Sequence, residues 1–153
     1  MRIVSSSIVL AAFVLASAST VVIAQGGKPA PVTVEQHAAT MKMIQQNMGA
    51  ANKALKGGDA AAATPAAEAL VAAFTTIETF YTQRNKPDAI KLAQTAKTGA
   101  QDVVAALKAG DTMKAQMSLG NTQGTCKQCH GMYREGDAQT GYKFNAASGI
   151  TPP

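Results

Sequence analysis

The stretch "TVEQHAATMKMIQQNMGAANKALKGG", Thr33 to Gly58, decides the fold. A stripe runs through Val34, His37, Met41, Ile44, Met48, Ala51 and Leu55, with spacings that alternate between three and four. That period marks one face of an α-helix lying inside a bundle. Thr33 supplies a side-chain oxygen for the free amides of the first turn, and Glu35 sets a negative charge against the positive end of the helix dipole. Gly57-Gly58 ends the run. Met43 falls off the stripe, on the side of Asn47 and Ala50.

Three more helices follow by the same signals. Thr64-Pro65 reads as an N-cap followed by proline at the first helical position. The stripe behind it is Ala66, Leu70, Ala73, Phe74, Ile77, Phe80 and Tyr81, broken by "RNKPD", Arg84 to Asp88. A third helix starts near Pro87, carries Ala89, Ala93, Ala96, Ala100, Val103 and Leu107, and closes at Gly110. Asp111 caps a fourth, which passes Met113, Met117 and Gly120. Helices of roughly 20 residues span about 30 Å. Matched lengths and short links predict an all-α, antiparallel, up-down-up-down four-helix bundle over residues 33–135. The lead-in, 25–32, contains "GGKPAP" and reads as flexible. The tail, 136–153, is rich in Gly, Ala, Thr and Pro and reads as extended. The helical faces are largely alanine, which fills little volume, so a planar apolar cofactor would supply missing bulk.

One domain fits the 153 residues. Net charge is +5, from 14 basic and 9 acidic side chains, but the lysines are scattered and form no nucleic-acid-binding run. They read first as solvated surface, and second as a field that steers an acidic partner. The N-terminus has the pattern of an export signal. Arg2 precedes the apolar "SIVLAAFVLASAS", Ser7 to Ser19, and Val22 and Ala24 occupy −3 and −1 of a cleavage point before Gln25. Cleavage after Ala18 is the alternative. The apolar run is short for a span, which needs about 20 residues, so residues 1–24 are expected to be removed and the chain to be periplasmic with no permanent membrane span.

Against this background stands "TCKQCH". Cys126 and Cys129 are the chain's two cysteines, and His130 is one of its two histidines. Cys-x-x-Cys-His is the attachment signature of c-type haem. Two thiols become thioethers on the porphyrin vinyl groups, and the adjacent imidazole reaches the iron. Export also permits a simple disulfide. A zinc site would need His37 as a fourth ligand at unusual spacing. Thioredoxin-type chemistry would need a βαβ context that the sequence lacks. In an up-down-up-down bundle the end of the fourth helix lies beside the start of the first. His37 and Met41, one turn apart, therefore face the motif. Met41 is a candidate for the opposite axial position. His37 is a candidate for a propionate hydrogen bond or for the axial position in a bis-histidine site. No nucleophile–base set or carboxylate pair marks an enzyme; Asp102 and Glu78 read as solvated helix charges.

The chain resembles the class II c-type cytochromes, the cytochrome c prime family. "CKQCHGMYR" is similar to the family's closing pattern, and "MKMIQQNMGA", Met41 to Ala50, to the first helix of its low-spin His/Met subgroup. The resemblance covers about residues 32–135. It implies one covalent haem c on Cys126 and Cys129, with His130 as the proximal and Met41 as the distal iron ligand, and electron transfer between periplasmic redox proteins. In cytochrome c prime proper the place of Met41 is apolar and the iron five-coordinate, which gives the alternative function of binding nitric oxide or carbon monoxide. The family often carries arginine where His37 stands. His37 and Arg134 are the corresponding candidates for propionate contacts. A homodimer through the first two helices is a further implication of the resemblance.

Overall fold

A computed structural model of the chain describes residues 30–151. The export signal, its cleavage point and residues 25–29 of the lead-in lie outside the described residues. Four helices, α1 (Val34–Lys56), α2 (Ala60–Thr82), α3 (Pro87–Lys108) and α4 (Thr112–Tyr133), run up and down in sequence order as a bundle. The capping signals acted where the sequence placed them. Thr33 accepts from the Gln36 amide, and the Gln36 side chain accepts from the Thr33 amide in return, closing a capping box. Asp111 accepts from the Lys114 amide at the head of α4.

One boundary differs. α2 begins at Ala60, a full turn before Thr64-Pro65, because the Asp59 carboxylate accepts from the Ala62 amide and nucleates the helix there. Pro65 then lies inside α2. The carbonyl its missing amide would have bonded belongs to Ala61, an exposed residue of the first turn. The link between α1 and α2 is a tight turn through Gly58, at φ 74°.

α2 is the central element. It buries Leu70, Phe74, Ile77, Phe80 and Tyr81 with Ala63, Ala66, Ala67 and Ala73. It is the one described helix long and apolar enough to cross a membrane, yet these side chains face the other helices, as those of a bundle's core helix do. Glu78, expected to be solvated, instead pairs with Lys97 and accepts from Gln94 of α3, a clamp that holds its carboxyl below the usual range. At the α3–α4 crossing, Gly99 lets the helices approach closely: a Cβ there would stand 2.3 Å from Thr122 Oγ1. Thr122 is buried and its hydroxyl donates to the Ser118 carbonyl at 2.9 Å, so it cannot simply turn aside. Gly99→Ala should gain helix propensity but lose more to overpacking, a net cost of about 1–2 kcal/mol in urea unfolding. Adding Thr122→Ala should recover most of the loss, a non-additivity that two independent sites would not give.

The four seams are unequal. α1 on α2, α2 on α3 and α3 on α4 are closely packed, whereas α1 and α4 meet over a short stretch. α4 buries Ala115, Leu119 and Thr122, then nothing until Tyr133. The tail is not extended. Arg134–Asp137 (β1) pairs antiparallel with Gly141–Phe144 (β2), and a 3₁₀ turn, Ala146–Ser148, follows. Asp137 turns the hairpin by accepting from the amides of Gln139 and Thr140 at 3.0 and 2.7 Å. Gly136, at φ 88°, has no room for a side chain against the Gly141 carbonyl. The hairpin returns to the end of α4, where the Asn145 amide donates to the Tyr133 carbonyl. Phe144 and Ile150 then pack against the core. The lead-in residues 30–32 are likewise held. The Val32 amide donates to Gln83 Oε1, and its carbonyl accepts from Arg84.

Candidate functional site at one end of the bundle

The start of α1, the end of α2, the start of α3 and the end of α4 converge at one end of the bundle. α4 stays helical through Cys126-Lys127-Gln128-Cys129-His130. Positions i, i+3 and i+4 share a helix face. Cys126, Cys129 and His130 are accordingly half-buried, while Lys127 and Gln128 are exposed. Both cysteines are free thiols. Burial, reinforced by its neighbour Cys129, pushes the Cys126 thiol up to about 11, and burial raises Cys129 as well. Neither is a reactive thiolate at neutral pH, the opposite of what disulfide-exchange chemistry requires. Among the described residues no three His, Cys, Asp or Glu side chains are grouped to hold a metal ion between them, so the four-ligand zinc reading gains no support.

His37 enters this end from α1. It is 7% exposed, and its ring is fixed by aromatic neighbours: Phe80 at 4.3 Å, Phe144 at 4.9 Å and the edge of Tyr81 at 5.7 Å. Burial first, then the Arg84 guanidinium and His130, lower its pKa to about 4, so its imidazole is neutral. Its Nε2 is the one buried side-chain nitrogen or oxygen among the described residues without a hydrogen-bond partner. The other buried polar side chains all satisfy themselves locally: Thr40 on the Gln36 carbonyl, Thr122 on Ser118, Ser148 on Asn145. Met41, one turn further along the same stripe, is half-buried and packs against the core.

Around these residues stand Arg134, a candidate from the sequence, and three groups that the sequence did not assign a role at the site: Arg84, Tyr81 and Tyr133. Arg84 lays its guanidinium 3.6 Å above the Phe80 ring and donates to the carbonyls of Phe80 and Val32. Only its place in a helix-breaking stretch is visible in the sequence. Tyr81 sits beside Cys129, and burial raises its pKa. Tyr133 donates to Asp88 at the head of α3, tying the end of α4 to α3. Arg134 is exposed and stacks on Tyr142 of β2 at 3.9 Å, close enough to His130 to lower its pKa, behind the larger effect of burial. A surface groove of about 680 Å³ lies elsewhere, along Pro31, Gln36, Met43 and Thr76, and touches none of the cysteines or histidines.

The residues present fit a covalently held haem on three counts. The attachment thiols share a face with a histidine. That face packs against the core, with Cys129 beside Tyr81. At the same end of the bundle, α1 supplies a buried imidazole nitrogen with no partner. Comparison with known protein families, curated proteins and solved structures finds no match to the chain.

Proposed function

We propose that this protein is an exported monohaem c-type cytochrome of the class II kind, passing single electrons between periplasmic redox proteins. The observation that carries the reading is the single face of α4 bearing Cys126, Cys129 and His130, at the end of the bundle that also holds His37. Cys126 and Cys129 would hold the haem as thioethers and His130 would be its proximal ligand. The opposite ligand falls to α1, whose inward stripe offers Met41, as the resemblance implies, and His37. When bound, the haem supplies a one-electron iron couple. The chain's own residues do the rest. Phe80, Tyr81 and Phe144 keep water from the α1 side of the site. The unbroken α4 helix holds both thiols and the imidazole in one register. Arg84 and Arg134 place positive charge nearby, where either can face a propionate.

The test is an intact-mass measurement and a visible spectrum on protein matured through its own export route. The expected mass exceeds the polypeptide by one haem, and the reduced protein shows sharp low-spin bands. A mass equal to the bare chain overturns the reading. Rapid, complete uptake of carbon monoxide by the reduced protein, with no lag from ligand displacement, would replace electron transfer by gas binding.

A further inference from the structure

Resting on that reading, we infer that His37, and not Met41, is the iron ligand opposite His130, which makes the site bis-histidine. The inference stands on one unpaired atom and its surroundings. A buried polar atom without a partner is costly and rare in a folded protein. His37 Nε2 is such an atom, on a side chain 7% exposed. The cost is not one that local structure could not have avoided: Thr40, the next inward polar residue of the same helix, discharges its hydroxyl onto the Gln36 carbonyl at 2.7 Å.

The surroundings argue for a metal rather than a propionate. A propionate carboxylate belongs at the wet edge of a haem. His37 lies against rings instead, packed on Phe80 at 4.3 Å and on Phe144 at 4.9 Å, which stack on one another at 5.7 Å. Such walls present no polar group to the imidazole, and they restrain its tilt. A lone pair held in that way is a donor to a Lewis acid. His130 stands at the end of α4 that lies beside the start of α1, at the same end of the bundle as His37. Met41 has an explanation without iron. It is half-buried against the core cluster, where an unbranched thioether fills irregular space.

The experiment uses matured holoprotein: wild type, Met41→Leu and His37→Ala, each followed by oxidised absorption and electron paramagnetic resonance. Wild type is expected to be low-spin without a methionine–iron band. Met41→Leu should leave that spectrum in place. His37→Ala should lose it, giving either high-spin iron or a new methionine–iron band with a raised potential, and added imidazole should restore the low-spin state. A methionine–iron band in wild type that disappears in Met41→Leu overturns the inference. So does a low-spin signal unchanged in His37→Ala. The wild-type spectrum decides even if His37→Ala fails to fold. Absence of haem from wild type overturns this inference together with the proposed function, whereas bound haem with methionine ligation overturns the ligand assignment alone.

Discussion

Replacing Cys126 and Cys129 together with alanine is expected to give a colourless protein whose mass is that of the polypeptide. Each thiol is replaceable in the fold: both are half-buried, neither is bridged, and the helix continues through them. Alanine is the best helix former, so the variant should keep its helical content. The effect is therefore all-or-none on the cofactor and small on the backbone. The single replacements separate the roles of the two bonds. Either one should leave the haem tethered once and extractable in part. A double variant that still carries covalent haem would remove the motif from the account. A wild-type protein whose two thiols are found oxidised to a disulfide would do the same.

Phe80→Ala should be the most damaging single change to stability, at about 3–5 kcal/mol, the range for truncating a fully buried aromatic ring. Phe80 is 0% exposed and does more than fill volume. It touches three rings, two of them from other segments of the fold: His37 of α1 at 4.3 Å, Tyr81 of its own helix at 5.2 Å and Phe144 of β2 at 5.7 Å. It also carries the Arg84 guanidinium. Removing it leaves a cavity at the point where α1, α2 and the hairpin meet. With domain stabilities of about 5–15 kcal/mol, such a loss is a large share of the total. Urea unfolding measures it, and Phe80→Leu should cost clearly less because it retains most of the volume. A cost below about 1 kcal/mol for Phe80→Ala would mean that this aromatic cluster contributes little to holding the end of the bundle. The same variant should loosen His37 and broaden the spectrum of the holoprotein, since the ring that restrains the imidazole is gone.

The two variants draw on different parts of the sequence reading. Cys126, Cys129 and His130 could be placed on one helix face from spacing alone, because i, i+3 and i+4 neighbours depend on nothing beyond the helix itself. The same holds for the starts and stops of α1, α3 and α4. Thr33, Gly57 and Asp111 act through contacts with residues two to four positions away, and Pro87 through its own fixed φ at the first helical position. α2 was misplaced by one turn for a reason of the same kind: Thr64-Pro65 and Asp59 both carry start signals, and the earlier cap formed. The tail was read as extended because its hairpin has no apolar alternation. It folds through the Asp137 turn and through Asn145 bonding back to the end of α4, and four-residue strands with exposed faces leave little trace in a sequence.

Local chemistry, readable from residues a few positions apart, determined that this chain makes four helices, that they link into an up-and-down bundle, and that two thiols and an imidazole share a face near its C-terminal end. Tertiary packing alone decided how closed each seam is, that Glu78 clamps α2 to α3, and that His37 is buried where Met41 is only half-buried. The physical reason is distance along the chain. Whether a nitrogen is buried and unpartnered depends on Phe80, Tyr81, Phe144 and Arg84, which reach His37 from a different helix, a hairpin and a loop, and no periodicity within α1 carries that information.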